Sequence, residues 1–184
     1  NISAITERTS TLEQTAEDIS FKINEQSTGG KNYLLNSSGL NGLTDDWEYS
    51  GSVSVLSDTD VISHTSSGSA FVLGIDGTLS QSVHNSVSCR AFLLSLRAKK
   101  SYSQLSAYMY VQYNGVKKEY LFDTKDSFDW TDFSVVLPDV SDGEITVFIY
   151  SRGSSLKVSD LMLTDGSIIQ HWSPAPNEIY TNEV

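Results

Sequence analysis

Cysteine occurs once in the 184 residues, at Cys89, so no intrachain disulfide can form and no zinc site can be built on thiolates. That thiol precedes an apolar run and is read as a small buried side chain. Basic residues are scarce as well: 12 Lys and Arg face 23 Asp and Glu, for a net charge of −11. A surface of that sign repels phosphate backbones, and no basic stripe interrupts it. Nucleic acid is therefore excluded as a partner and anionic polymers are disfavoured in bulk, although a local Arg/Lys pocket can still hold one charged group. No apolar run is long enough to cross a bilayer as a helix and no leader-like start is read, so no membrane partner is expected. Enzyme patterns are missing too. His64, His84 and His171 lie far apart, in none of the spacings of a zinc site or a nucleophile elbow. Acidic pairs such as Asp45/Asp46 and Asp58/Asp60 are expected at this charge, and they are read as turn formers rather than as a glycosidase pair. A calcium ion held by loop aspartates is the one cofactor left open, without a loop ligand pattern to support it.

What the chain does contain begins with a heptad pattern. Ile2, Thr9, Ala16 and Ile23 are seven residues apart, as are Ile5, Leu12 and Ile19, and the two series interleave as the a and d positions of one seam. Arg8 falls at g and Glu13 at the following e, where parallel helices pair charges between chains. Ile at both core positions leans toward three strands, and residues 8–13 look like the Arg-x-x-x-Leu-Glu pattern of short trimeric coiled coils. The pattern predicts a stalk over residues 1–28. Thr9 and Ala16 make its core weak, and the alternative is a lone helix packed on its own domain, although a helix of this length is marginal alone in water. Because the heptads are already running at Asn1, a piece of a longer chain is expected.

At residues 27–30 (Ser-Thr-Gly-Gly) the period changes, which places a domain boundary there and a second domain over 31–184. Hydrophobic residues at 39% and charged residues at 19% suit a globular β protein. Strands are predicted at 32–36, 47–56, 61–64, 70–73, 79–84, 90–98, 104–113, 116–122, around 133–137 with a stop at Pro138, 144–152, 156–163 and 167–172. Asn114-Gly115 reads as a tight hairpin turn. Many short strands, turns between them and no helical stretch after residue 30 predict a β-sandwich.

Several pieces of this region resemble a known family. An Asn-x-Leu-Leu-Asn segment at 32–36 is followed by a turn and Trp47. An Ala-Phe-Leu-Leu-Ser-Leu-Arg-Ala-Lys strand occupies 91–99, a Trp-x-x-Phe-x-x-x-Leu-Pro segment 130–138, and an ending with Leu-Thr-Asp-Gly and Trp-Ser-Pro-Ala-Pro-Asn-Glu 163–178. Together they resemble the carbohydrate-binding jelly-roll modules of tail-tip, baseplate and receptor-binding proteins of tailed phages that infect Gram-positive bacteria. The resemblance implies an all-β, galactose-binding-like jelly-roll sandwich behind an α-helical coiled-coil segment. It also implies non-catalytic recognition of host cell-wall saccharide, other tail or baseplate proteins as partners, and a place on the virion outside the host cell. It supplies neither the sugar nor the residues that bind it.

The residues themselves supply a candidate site. A saccharide needs a flat aromatic face for its C–H side and planar polar groups at the rim. If Leu105, Ala107, Met109 and Val111 face the core, then Tyr108, Tyr110 and Gln112 face outward. Ile145, Val147 and Ile149 inward likewise leave Phe148, Tyr150 and Arg152 outward, and Phe92, Leu94 and Leu96 inward leave Leu93, Ser95 and Arg97 outward. Four exposed rings call for a cover. That cover is sugar, with Gln112, Arg97 and Arg152 as polar partners, or neighbouring subunits, or an extra layer from residues 57–84. Trp47, Trp130 and Trp172 are read as structural, and Trp130, with Asp126, Asp129 and Asp132 about it in a loop, as the best further ligand candidate. The functional reading is a homotrimeric receptor-binding module. A structural spacer is the second reading, and a wall-polysaccharide hydrolase or esterase the third.

Overall fold

The computed structural model describes residues 31–39, 46–88, 90–153, 155–168 and 171–176. The heptad stretch with Ile2, Ile5, Arg8, Leu12, Glu13, Ile19 and Ile23 lies outside the described residues, as do residues 40–45, Cys89 and residues 177–184.

Among the described residues the chain forms strands β1 (Glu48–Ser50) and β2 (Val53–Leu56), helix α1 (Thr59–His64), and strands β3 (Ala70–Leu73), β4 (Gly77–Asn85), β5 (Arg90–Lys100), β6 (Ala107–Tyr113), β7 (Lys117–Thr124), β8 (Phe128–Val140), β9 (Gly143–Ser151) and β10 (Leu156–Asp165). They make two five-stranded sheets, ordered β1-β4-β9-β6-β7 and β2-β3-β10-β5-β8, with every pairing antiparallel. The alternation that predicts the strands also fills the core. Leu79, Met109, Val111, Ile145, Val147 and Ile149 of the first sheet meet Phe71, Phe92, Leu94, Leu137, Leu156 and Leu163 of the second. Each such side chain contributes roughly 1.5–3 kcal/mol by leaving water. Asn114 (φ 52°) and Gly115 (φ 84°) supply the two left-handed residues of the β6–β7 hairpin.

The ends of the described domain converge on one side chain. Asn32 is buried, and its Nδ2 reaches Ser37 Oγ at 3.1 Å, the Leu161 carbonyl at 3.0 Å and the Ser173 carbonyl at 2.9 Å. Its Oδ1 accepts from Leu34 N at 3.0 Å and Leu163 N at 3.1 Å. Residues 32–36 are consequently irregular and turning rather than a strand, because side chains meet their backbone groups: the buried Gln81 holds both the N–H and the carbonyl of Leu35.

The structure corrects other sequence expectations. Residues 47–56 are two strands in different sheets, β1 and β2, parted by Gly51-Ser52. Residues 61–64 are helical: Asp58 caps α1 by accepting from Val61 N at 2.9 Å, and Val61 is buried against Ala70 and Trp130. Strand β8 runs through Pro138 to Val140, which a proline permits because β8 is a sheet edge. Leu105 precedes β6 and is exposed rather than core. No strand forms among the described residues of 167–172.

Candidate functional site

The outer face of the first sheet carries the aromatic residues. Strands β6 and β9 are neighbours in it, and their register sets Tyr108 opposite Tyr150, Tyr110 opposite Phe148 and Gln112 opposite Thr146. Since Ala107, Met109, Val111, Ile145, Val147 and Ile149 are buried, these six side chains project from the other face. Ring centroids lie 5.1 Å apart for Tyr108–Tyr150, 5.3 Å for Tyr110–Phe148 and 6.1 Å for Tyr108–Tyr110. The rings are half-buried and largely cover one another, forming a continuous apolar strip in the middle of a sheet face.

A fifth ring, Tyr120 of β7, completes the strip, 5.4 Å from Tyr110 and 6.2 Å from Tyr108. Simple alternation would turn Tyr120 inward with Phe122, which is buried. The ladder steps from Met109↔Phe122 to Tyr110↔Tyr120, so β7 inserts the extra residue Leu121 there. This bulge turns Tyr120 outward and leaves it half exposed. Sequence reasoning missed it because the period of two breaks at that residue.

Polar groups border the strip. On the β4 side lie Ser50, Thr78, Ser80, Ser82 and Thr146, with hydroxyls paired at 2.6 Å (Ser50–Thr78) and 2.7 Å (Ser82–Thr146). At one end Tyr150 donates its hydroxyl to Asp76 Oδ1 at 3.0 Å. Arg152 follows β9 at the same end, its N–H donating to the Ser106 carbonyl at 2.8 Å and its own carbonyl accepting from Asp76 N at 3.2 Å. At the other end Gln112 Nε2 donates to the Gly115 carbonyl at 2.8 Å. There Lys118 Nζ lies 4.6 Å from the centre of the Tyr110 ring. Burial first, then the neighbouring tyrosines and Asp123, raises the Tyr108 phenol above its ordinary value. Burial followed by the hydrogen bond to Asp76 does the same for Tyr150. Both phenols therefore stay protonated donors at neutral pH. A face of stacked rings edged by hydroxyls and amides offers C–H contact at its centre and directional hydrogen bonds at its margin.

Two of the residues singled out in the sequence are elsewhere. Arg97 belongs to β5 in the second sheet, where its guanidinium bonds Asp132 Oδ1 at 2.8 Å. Alternation shows that Arg97 points outward, but not from which sheet. Trp130 lies within β8 rather than in a loop, and it is buried on the outer side of the second sheet beneath α1. Its indole N–H donates to Asp60 Oδ2 at 3.1 Å. Trp47 and Trp172 are structural as well: the first packs edge-on to Phe71, and the second donates to Ser37 Oγ at 3.0 Å. Residues 57–84 do not roof the aromatic strip. Helix α1 covers Trp130 on the second sheet, and β4 pairs edgewise with β9. Among the described residues, no three His, Cys, Asp or Glu side chains come together to hold a metal ion.

No protein-family model matches the sequence, and no curated protein matches it. Solved structures do. A structure described as TmCBM61 in complex with β-1,4-galactotriose superimposes with a TM-score of 0.59 at 19% identity, over 74% of this chain and 100% of that one. The CBM22-1 xylan-binding domain of Paenibacillus barcinonensis Xyn10C matches at 0.50 and 10% identity, over 77% and 97%. The tailspike protein 4 enzymatically active domain of bacteriophage CBA120 matches at 0.50 and 14% identity, over 73% of this chain but 21% of the tailspike chain. At these identities the likeness establishes the fold, an all-β sandwich of two antiparallel sheets like those of carbohydrate-binding modules.

Proposed function

We propose that this domain is a non-catalytic saccharide-binding module whose site is the outer face of the first sheet. Tyr108, Tyr110, Tyr120, Phe148 and Tyr150 stack against sugar rings, and Gln112, Arg152 and the Ser/Thr border bond hydroxyls. The observation that carries this reading is the five-ring strip, ring neighbours 5.1 to 6.2 Å apart, running across the outer face from the central strands β9 and β6 to the edge strand β7. Its support from outside the chain is the fold shared with structures described as binding galactotriose and xylan.

The parent protein, in this reading, is a receptor-binding component of a phage tail that meets wall polysaccharide of a Gram-positive host outside the cell. The sequence resemblance and the tailspike likeness support that placement. The heptads over 1–28 join three copies, and each site alone is weak, because hydroxyl hydrogen bonds largely replace those made to water. Three linked sites raise avidity through effective concentration.

The test is a broad glycan array probed with the labelled chain, followed by calorimetry on the hits and staining of candidate host cells. Binding that is lost in a folded Tyr110→Ala variant supports the proposal. A chain that binds neither glycan nor cells overturns it and favours a spacer whose rings are covered by neighbouring subunits.

A further inference from the structure

We infer that the platform selects saccharides carrying isolated acidic groups, and that Lys118 is the residue that reads them. The inference rests on the saccharide reading above and narrows it to one ligand class.

The first observation is where the cations of this acidic chain are used. On the second sheet Arg90 pairs with Asp165 at 3.3 Å and Arg97 with Asp132 at 2.8 Å. Lys99 and Lys157 share Asp60 at 3.2 and 3.9 Å. Beside the hairpin, Lys117 lies 3.8 Å from Glu119. Lys118 is in none of the ion pairs formed by the described residues, although the chain carries a net charge of −11. Its ammonium lies 4.6 Å from the centre of the Tyr110 ring, on the strip a sugar would occupy. Arg152, at the Tyr150 end, is likewise in none of those ion pairs.

The second observation is the chemistry surrounding that ammonium. Lys118 stands opposite Gln112 in the ladder, and its strand neighbour on the same face is Tyr120. Gln112, Lys118, Tyr110 and Tyr120 therefore make one corner with two rings, one ammonium and one amide. A neutral sugar stacking on Tyr110 must displace the ammonium and forfeit its attraction to the ring. An acidic sugar instead converts that contact into a charge-assisted hydrogen bond to its own anionic oxygens while stacking beside it. The rest of the face limits where the acid sits. Asp123 stands opposite Tyr108 in the ladder, and Asp76 already accepts from Tyr150. The Asp123 carboxylate disfavours an anion over Tyr108, and at Tyr150 the Asp76 charge is set against that of Arg152, which leaves the Tyr110 corner as the place where a cation lies on the ring itself. The net charge sets the class: a dense polyanion is repelled, whereas a glycan with single carboxylates or phosphates on an otherwise neutral backbone is accepted.

The experiment uses a panel in which each uronate-bearing oligosaccharide is matched with its carboxyl-reduced form, and each phosphate-bearing one with its dephosphorylated form. The full chain and its Lys118→Gln and Lys118→Arg variants are titrated against every pair. The expected result is about tenfold tighter binding of the charged member, abolished in Lys118→Gln and retained in Lys118→Arg, with neutral members bound no worse by Lys118→Gln. The uronate and phosphate arms show which anion is preferred. Equal binding of both members of the pairs, unaltered in Lys118→Gln, overturns the inference and leaves the saccharide reading standing. Binding to no member of the panel overturns that reading, and this inference with it. Lys118 is exposed on an edge strand, so matching melting curves separate lost recognition from lost folding.

Discussion

Tyr110 and Phe148 face each other across β6 and β9 with their rings 5.3 Å apart and 20° from parallel. Both project from a sheet whose opposite side is filled by Met109, Val111, Val147 and Ile149. Removing one ring thus subtracts from the platform without opening the core. We expect Tyr110→Ala to lower stability by about 1 kcal/mol, the worth of lost aromatic pairing. Affinity for glycan should fall at least about tenfold. Calorimetry on the array hits, run beside thermal unfolding, checks both halves. A folded variant that binds unchanged would remove Tyr110 from the site.

Tyr120→Ala is expected to weaken glycan binding about as much as Tyr110→Ala, because the bulge at Leu121 places its ring against both Tyr110 and Tyr108. Leu121→Ala serves as the comparison. It keeps the inserted residue and trims a partly buried side chain packed on the core, so it should cost chiefly stability, whereas Tyr120→Ala should cost chiefly binding.

That contrast shows which parts of the molecule were legible from sequence. Alternation at 107–113 and 145–151 announces strands and sorts their two faces, because the pleat has a period of two and one face is buried. Tyr108, Tyr110, Gln112, Phe148 and Tyr150 follow from it directly. Alternation is silent on which of two sheets a strand joins, so the sequence groups Arg97 with the aromatic face, whereas it lies on the other sheet, bonded to Asp132. It fails at a bulge, which hid Tyr120. It also misreads short apolar runs: Val61, Ile62 and their neighbours look extended, but a capping Asp58 and a tryptophan to cover made them a helix.

Asn32 links segments far apart in sequence, and its removal strands several partners at once. Leu34 N and Leu163 N lose their acceptor, and the Leu161 and Ser173 carbonyls lose their donor. Asn32→Ala is expected to destabilise the domain by about 3 kcal/mol, since each buried polar group left unpaired costs about 1–3 kcal/mol. Urea unfolding measures it. Asn32→Asp, which keeps the acceptor but turns a carboxylate oxygen on the Leu161 and Ser173 carbonyls in a buried site, should cost at least as much.

Acid should loosen helix α1. The Asp60 carboxyl is held below its ordinary value, chiefly by the Trp130 indole N–H; burial opposes the shift, and Lys99 and His64 reinforce it. A carboxyl lowered in the folded state contributes stability that is complete above its unfolded value of 3.8 and is lost as pH falls through the lower folded value. The expected result is a fall in stability below about pH 4 that is shallower in Asp60→Asn. Tryptophan emission, compared with a Trp130→Phe variant to isolate that ring, should report the change at α1.

Gly51 ties the topology of the fold to its candidate site. It stands between β1 of one sheet and β2 of the other, at φ 69°, and a β-carbon there would fall 2.0 Å from the Asp76 carbonyl oxygen. The clash is with backbone, so no side-chain rotation relieves it. Gly51→Ala should therefore cost at least about 2 kcal/mol, the left-handed backbone adding to the collision. Asp76 is also the acceptor that fixes the Tyr150 hydroxyl at 3.0 Å. Displacing it frees one end of the aromatic strip, so the surviving folded fraction should bind glycan more weakly than its population accounts for. Asp76→Asn separates the two effects: it leaves the turn in place and keeps an acceptor but removes the charge, so stability should hold. Titration of both variants at a temperature where each is folded decides the matter, and undiminished affinity in Gly51→Ala would show that the Tyr150 end takes no part in binding.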